Sequence, residues 1–459
     1  MFGSYSSWTS NMFGGHGPHI PHVTGRRRGS TTSSRKSEES DHVDPTGEED
    51  TTTVDEGEKS MLLSIISQLK PGADLSRISL PTFILEPRSM LERITNFMQH
   101  PETLLPMTTI DDPVERFVSV VKFYLSGWHL KPPGVKKPLN PILGEQFTCY
   151  WELPDKTKAY YIAEQTSHHP PKSSYFYMAP YHHVRIDGTL KPRSRFLGNS
   201  AASMMEGVSL LTLMNKGEPG VGEKYVLNQP NIYVRGILFG TMKYELGDYV
   251  YVRCPENNLV AEIEFRVKGF FTGTYNAIHG TIKNEKTGEK LYEISGKWNE
   301  DMYIKDELTG RTEPLFDATN AKPTLPLVRP IAEQNEKESQ KLWAPTIRAL
   351  LKKDQDVATD EKIRVEEKQR SDTRQREADD IEWVPQLFKP TDGFGLDYII
   401  HTTVDGKDPE TLEKQILAIT PILPGTHAQA KFAIPPHQNQ PTVPTNIAEP
   451  DTGKSSAST

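Results

Sequence analysis

The residues best suited to chemistry lie within residues 164–171, where two adjacent histidines, His168 and His169, are followed by two prolines. An apolar run at residues 159–163 precedes this segment and predicts a buried strand. Two consecutive prolines fix φ and remove two backbone donors, so the strand has to end at the histidines. The sequence therefore predicts two stiffly held imidazoles at the rim of a sheet, where they can contact a ligand.

Three kinds of site are compatible with adjacent histidines. Zinc needs three or four convergent ligands, whereas neighbouring strand residues point to opposite faces, and Cys149 and Cys254 lack ligand spacing. A hydrolase would use Ser167 beside His168, but the sequence shows neither a Gly-x-Ser-x-Gly elbow nor a partner that orients the base. In the third kind, an anion site, imidazole N–H groups donate hydrogen bonds to a phosphate.

Two other segments carry cations that could complete an anion site. Lys137 lies in a long loop, residues 131–145, whose four prolines allow neither a helix nor a β-ladder. Lys362, Glu366 and Arg370 are spaced four residues apart in a charged helical pattern at residues 358–378, so they line one face with the carboxylate between the cations. A point charge, a guanidinium fork and two imidazoles suit a phosphate carrying about −1.5 to −2 charges.

Composition excludes several classes of protein for this chain of 459 residues. The net charge of −8 argues against a general nucleic-acid binder and against permanent residence on an anionic membrane. Only two cysteines occur, both in apolar alternating runs, which favours buried thiols and a reducing compartment. No signal peptide and no run of 18 apolar residues is present, so we expect a soluble cytoplasmic protein.

The N-terminal part divides into a tail and a short amphipathic helix. Residues 1–59 are rich in Ser, Thr and Gly and predict disorder; Arg26, Arg27 and Arg28 within them are expected to be solvated. A helix begins at Met61, and its apolar face runs to Leu69. Such a helix either packs permanently on the core or forms a cover that exchanges with a membrane, and the residues alone favour permanent packing.

The middle of the chain predicts two helices, at about residues 89–98 and at residues 113–128, followed by a large sheet. Residues 113–128 show helical periodicity behind the capping Asp112, and their apolar face is expected in the core. From residue 146 to about 305, alternation of period two with frequent turn signals predicts a large antiparallel sheet, which must close or nearly close to hide its edges. With many strands, the interior is too wide for side chains alone, so a cavity for an apolar ligand is expected.

Residues 164–171 and 137–145 together resemble the two hallmark motifs of the oxysterol-binding protein-related family. The resemblance covers about residues 60–390. It implies a mainly β fold with flanking helices, namely an incomplete antiparallel β-barrel around a lipid tunnel, with an N-terminal lid at residues 61–84. The lid assignment replaces the interpretation of the first helix as permanently packed. The chain is then expected to have five regions: tail 1–59, lid 60–88 with Leu69 and Leu80, lipid-binding domain 89–390, irregular extension 391–434 and disordered tail 435–459.

The resemblance also implies ligands and their contacts, without enzymatic activity, metal or cofactor. The contacts expected for phosphatidylinositol 4-phosphate are Lys137, Asn140, Glu145, His168, His169, Lys362, Glu366 and Arg370. The chain looks most like the phosphatidylserine-carrying branch of short fungal members, for which the contacts are Thr82, Ile84, Lys137, Asn140 and Ser194. Sterol is the alternative counter-lipid. Exchange is expected at contacts between endoplasmic reticulum and plasma membrane, through transient membrane contact and a possible tether protein.

Overall fold

The protein is described here from a computed structural model, which describes residues 51–75, 78, 80–269 and 273–427. The expectations for Arg26, Arg27 and Arg28, and for the tail at residues 435–459, fall outside these residues.

One antiparallel sheet of 14 strands dominates the fold. Twelve strands follow the order β16-β15-β14-β13-β12-β11-β10-β8-β7-β6-β5-β4, and β1 and β9 pair beside β11. The strands are β1 (Thr51–Thr53), β2 (Leu85–Ser89), β3 (Lys137–Leu139), β4 (Gln146–Glu152), β5 (Lys158–His168), β6 (Pro171–Ala179), β7 (Val184–Phe196), β8 (Ser200–Leu213), β9 (Glu223–Leu227), β10 (Asn231–Arg235), β11 (Thr241–Cys254), β12 (Leu259–Arg266), β13 (Ala277–Asn284), β14 (Lys290–Lys297), β15 (Asp301–Asp306), β16 (Thr312–Asp317), β17 (Phe388–Pro390) and β18 (Tyr398–Ile400). The expectation of a large antiparallel sheet is confirmed.

Helices lie between β1 and β4 and again after β16 in the sequence. They are α1 (Glu56–Ile66), α2 (Met90–Arg93), α3 (Pro101–Leu104), α4 (Pro113–Ser126), α5 (Ser339–Leu342), α6 (Ala344–Leu351), α7 (Gln355–Ala378) and α8 (Pro409–Leu417). α4 starts at the predicted cap, because Asp112 accepts hydrogen bonds from the first turn. Its apolar face is buried in the main core, as predicted, and a buried ion pair between Arg116 and Glu223 at 2.8 Å ties it to β9.

The described residues from Thr51 to Leu80, which we name the strap, are anchored to the sheet at two places. β1 pairs with the start of β11, and at the other end the Gly72 N–H donates to the Phe196 carbonyl of β7 at 2.6 Å. Between these anchors, α1 buries Leu62 and Ile66 in the core. Order therefore begins before residue 59, contrary to the expectation of a tail through that residue. The physical reasons are the backbone ladder of β1 and the capping box that Asp55 forms with Glu58.

The C-terminal extension is more regular than expected. Its strand β18 pairs with β17, and the helix α8 follows at Pro409–Leu417. Leu387, Phe388, Ile400 and residues of α8 pack against Tyr160 and other side chains of β4, β5 and β6 in a second apolar cluster. The extension therefore supports the strands that carry the histidine pair.

Candidate anion-binding site

The histidine pair stands at the turn of a hairpin. β5 ends at His168 and β6 starts at Pro171, so the strand stops where the prolines predict. His168 is half-buried, and its Nδ1 lies 3.0 Å from the carbonyl oxygen of Pro141. His169 is exposed, with its ring centroid 4.6 Å from that of His168. The two imidazoles therefore lie against each other at the β5–β6 turn, at the edge of the sheet.

Burial controls the charge of His168. It lowers the pKa of the imidazole to about 4, and the neighbouring His169 acts in the same direction. The ring is therefore neutral at pH 7, with Nδ1 donating to the Pro141 carbonyl and Nε2 holding a lone pair. To donate from Nε2 to a phosphate, His168 must take up a proton, which a nearby dianion would favour.

Lys137 reaches the same region from the other hallmark segment. It is half-buried on β3, in parallel register with Leu85 of β2. Burial lowers the pKa of its ammonium, and the charge of Lys362 lowers it further, while Glu366 acts in the opposite direction. The two ammonium groups thus act on each other and share the Glu366 carboxylate, which leaves positive charge that an anion can neutralise.

The helical face on α7 has the predicted arrangement. The carboxylate of Glu366 lies 2.7 Å from Lys362 Nζ and 3.7 Å from an Arg370 nitrogen, so it bridges the two cations. Lys362 is buried, whereas Arg370 is about half exposed and also pairs with Glu367. One carboxylate therefore holds two cations in place on one face of the helix.

Direct contacts and charge effects join the three segments. The Leu143 N–H donates to Gln369 Oε1 of α7 at 3.3 Å, and the Gly144 N–H donates to the Gln165 carbonyl of β5 at 3.0 Å. The charges of Glu366 and Arg370 act on His168, and those of Lys362 and Glu366 act on Lys137. We name this group the cationic cluster; its members are Lys137, His168, His169, Lys362, Glu366 and Arg370.

Asn140 and Glu145, both predicted contacts of the phosphoinositide, differ in their exposure to solvent. Asn140 is exposed and directly follows β3 at the edge of the cationic cluster. Glu145 is fully buried, and its carboxylate accepts hydrogen bonds from Ser339 at 2.7 Å, Trp343 Nε1 at 2.9 Å, the Ile142 N–H at 3.0 Å and Ser89. Since the protein itself supplies four donors, the structure gives Glu145 the role of positioning the loop.

Two residues outside the predicted set also position the cluster. Glu164, fully buried on β5, accepts hydrogen bonds from the N–H groups of Gln386 and Leu387, both at 2.8 Å; burial raises its pKa to about 7. Trp383 packs so closely on Gly144 that an added Cβ would lie 2.4 Å from its ring. Gly144 also has a positive φ of 73°, which is a second reason why glycine is needed at this position. Glu164 is the first residue of the histidine motif at residues 164–171, and this was the only sequence signal for either residue.

The residues expected to meet phosphatidylserine lie in two places. Thr82 and Ile84 form a buried turn, where the Phe83 carbonyl accepts a hydrogen bond from Lys136 Nζ at 2.6 Å. We name the turn Thr82–Ile84 the lid corner; it adjoins Lys137 through the pairing of β2 with β3. Ser194 is half-buried on β7, and the backbone of the next residue, Arg195, forms an isolated antiparallel β-bridge with that of Asp74 in the strap. The charge of Asp74 acts on Lys137, which connects this place with the cluster.

A cationic cluster at the edge of a large sheet with an apolar interior defines a binding protein for an amphipathic anion. The oxysterol-binding protein family matches residues 64–408. The chain belongs to this family, whose members bind and transfer lipids.

The relatives support the assignment over most of the chain. The chain is 51% identical over 412 residues to the oxysterol-binding protein-like protein OBPalpha of Candida albicans, covering 88% of this chain and 95% of the relative. It is 50% identical over 412 residues to oxysterol-binding protein homolog 6 of Saccharomyces cerevisiae, covering 88% and 91%. It is 41% identical to human oxysterol-binding protein-related protein 5 over 343 residues, which are 73% of this chain and 38% of that protein.

Solved structures share the fold. The Osh1 lipid-binding domain in complex with cholesterol superposes with a TM-score of 0.64 at 25% identity, covering 79% of this chain and 91% of that chain. The corresponding domain of Osh3 from Saccharomyces cerevisiae, in complex with PI(4)P, superposes with a TM-score of 0.57 at 20% identity, covering 82% and 97%. In the part of this chain that the structure describes, no helix is long and apolar enough to span a membrane.

Proposed function

We propose that this protein exchanges phosphatidylserine for phosphatidylinositol 4-phosphate between membranes. The observation that carries the proposal is the cationic cluster, in which segments in direct contact bring side chains of β3, the β5–β6 turn and α7 near enough to act on one another's charge. Lys137 of β3 and the cations of α7 repel one another at this place, a cost that a bound anion would offset. A lipid head group with a dianionic phosphate supplies that charge.

In this proposal, the 4-phosphate lies among the donors of the cluster. Lys137 and Lys362 contribute ammonium groups and Arg370 a guanidinium fork, while the imidazoles donate after proton uptake at His168. Asn140, exposed beside them, has an amide that can pair with the phosphate or with an inositol hydroxyl. Glu366 holds the cations, and Glu145 acts on the lipid through the loop that it positions.

Phosphatidylserine would use the lid corner together with part of the cluster. The hydroxyls of Thr82 and Ser194, the backbone at Ile84 and the amide of Asn140 can pair with a carboxylate and an ammonium that are otherwise costly to desolvate. Lys137 pairs with the lipid phosphate. Because both lipids need Lys137 and Asn140, one molecule carries one lipid at a time, and each lipid displaces the other.

The acyl chains explain why the strap is needed. Exposing one methylene to water costs about 0.8 kcal/mol of free energy, so exposing an acyl chain of about 16 methylenes costs about 13 kcal/mol. Leu69 and Leu80 of the strap pack against the main core in the described state. We propose that they cover the lipid in transit and that the strap opens at a membrane.

The proposal includes a place of action. The protein would act from the cytoplasm, binding transiently to the endoplasmic reticulum and the plasma membrane, with a tether protein increasing the time spent at their contacts. A gradient of phosphatidylinositol 4-phosphate maintained by other enzymes would then drive phosphatidylserine against its own gradient.

Sterol is the second candidate for the counter-lipid. The observation that favours it is the similarity to the Osh1 domains solved with cholesterol and with ergosterol, both at 25% identity. The serine-specific contacts would then have no ligand, while the cationic cluster would keep its role.

Transfer between two liposome populations tests the proposal. Donor liposomes contain labelled phosphatidylserine, and acceptors contain or lack phosphatidylinositol 4-phosphate. We expect acceptor phosphoinositide to accelerate phosphatidylserine transfer and to travel back in equal amount, with both lipids recovered chemically unchanged. Sterol transfer without phosphatidylserine transfer would favour the second candidate, and chemically altered lipid would indicate an enzyme.

A further inference from the structure

The Thr82 side chain at the lid corner is tied to the first turns of α7. Its Oγ1 donates to Gln355 Oε1 at 2.6 Å and lies 3.2 Å from Thr359 Oγ1. Thr82 itself is only 5% exposed, whereas Gln355 and Thr359 lie on the surface of the helix. Two surface side chains therefore fix one buried hydroxyl.

These contacts decide whether the Thr82 hydroxyl can donate a hydrogen bond to a ligand or only accept one. The Thr82 proton has an acceptor on α7, and the Thr359 hydroxyl donates to the Gln355 carbonyl at 2.7 Å. With both protons used inside the protein, the Thr82 oxygen can only accept a hydrogen bond from a ligand. An oxygen that only accepts attracts an ammonium group and disfavours phosphate oxygens, which are acceptors themselves.

The same face of α7 carries the cations of the cluster. Gln355, Thr359, Lys362, Glu366 and Arg370 follow at intervals of four, three, four and four residues, which places them along one stripe of the helix. The first two hold the lid corner, and the last three belong to the cationic cluster. One face of α7 thus holds the Thr82 oxygen near one end and carries the positive charges of Lys362 and Arg370 farther along.

We propose that Gln355 and Thr359 are positioning residues that set head-group specificity by holding the Thr82 oxygen as an acceptor for the ammonium of phosphatidylserine. This inference rests on the proposed function, because it needs phosphatidylserine as a ligand. It assigns to α7 a part in the recognition of both lipids. The two residues act through Thr82 and do not touch the lipid.

The test compares extraction of three lipids by full-length variants Gln355→Leu and Thr359→Val. Liposomes contain phosphatidylserine, phosphatidic acid, which lacks the ammonium, or phosphatidylinositol 4-phosphate. We expect Gln355→Leu to reduce phosphatidylserine extraction about tenfold, the effect of one hydrogen bond of about 1.4 kcal/mol, and to change the other two lipids less than about twofold. Thr359→Val should have a smaller effect in the same direction.

Two controls separate specificity from folding. Thr359→Ser keeps the hydroxyl and should restore wild-type selectivity, and Asp360→Asn changes the neighbouring exposed position and should leave all three lipids unaffected. Equal loss of all lipids in Gln355→Leu, or unchanged phosphatidylserine extraction, would overturn the inference while leaving the proposed function intact. Absence of phosphatidylserine extraction by the wild-type protein would overturn both.

Discussion

The cationic cluster and the lid corner both involve the same face of α7 but are built in opposite ways. In the cluster, charges of like sign are held close together, and burial lowers the pKa values of Lys137 and His168. At the lid corner, the Thr82 hydroxyl and the Phe83 carbonyl are already paired with Gln355 and Lys136. The cluster is therefore prepared for an external anion, whereas the lid corner is prepared to offer oriented dipoles.

This difference teaches how one protein can distinguish two anionic lipids. A phosphoinositide would be recognised chiefly by charge, and phosphatidylserine by a few oriented polar groups in addition to Lys137. Charge-based recognition tolerates small displacements, while a hydroxyl has to be placed within hydrogen-bond distance. The predictions below test whether the two regions act separately.

The largest effect is expected from Lys137→Ala, because Lys137 belongs to both proposed head-group sites. Removing one partner of a buried charge pair costs about 2–5 kcal/mol, so extraction of both lipids should fall at least about thirtyfold. Sedimentation of liposomes followed by lipid analysis measures this loss. Lys352→Ala, an exposed lysine at the end of α6, is the matched control. Loss of only one lipid would show that the two sites do not share Lys137.

Replacement of both histidines, His168→Ala with His169→Ala, should separate the regions. Two charge-assisted hydrogen bonds to phosphate are lost, at about 1.5 kcal/mol or more each, so phosphoinositide extraction should fall about a hundredfold. Phosphatidylserine extraction should stay within about twofold of wild type in the same assay. Equal loss of both lipids would remove the histidines from their head-group role.

Leu80→Asp tests the strap, which serves both lipids alike. Leu80 packs against the main core, and burying a carboxylate there is costly enough to favour the open state. Transfer of both lipids should fall by about tenfold in a fluorescence assay, with the ratio between them unchanged. Gln68→Asp adds the same single negative charge at an exposed position of the strap as a control. Unchanged transfer by Leu80→Asp would count against the lid assignment.

The smallest effect concerns protons. Because the pKa of His168 is about 4 without ligand, the ring is neutral at pH 7, and a bound dianion raises that pKa. Binding of phosphatidylinositol 4-phosphate should therefore take up part of a proton, and the contribution of His168 to affinity should increase as pH falls through the raised value. Calorimetry in two buffers of different ionisation enthalpy measures the uptake. His168→Ala should reduce it, and identical uptake in that variant would assign the proton elsewhere.

The sequence predicted those parts of the site that depend on local spacing. The histidine pair before two prolines and the four-residue spacing on α7 both appear in the structure as expected, since turn and helix geometry follow from neighbouring residues. The side-chain partners of Glu145 come from two distant segments, one with Ser89 and one with Ser339 and Trp343, so no local pattern could reveal that its carboxylate is occupied.

The start of the strap has one feature that follows from neighbouring residues and one that depends on a distant segment. The capping box of Asp55 and Glu58 is readable in the sequence and marks the true beginning of α1, five residues before Met61. The pairing of β1 with β11 joins residues 51–53 to residues 241–243, and only the folded sheet brings these segments together. The regular C-terminal extension has the same cause, because its strands and α8 are stabilised by contacts with β4, β5 and β6.

Native mass spectrometry tests the central claim most directly. The protein is equilibrated with liposomes that contain phosphatidylserine, phosphatidylinositol 4-phosphate and ergosterol in equal amounts, then separated from them and weighed intact. The account predicts one lipid per molecule, either phosphatidylserine or phosphatidylinositol 4-phosphate, with each displacing the other as its share in the liposomes is raised. Two lipids on one molecule, or ergosterol in place of phosphatidylserine, would contradict it.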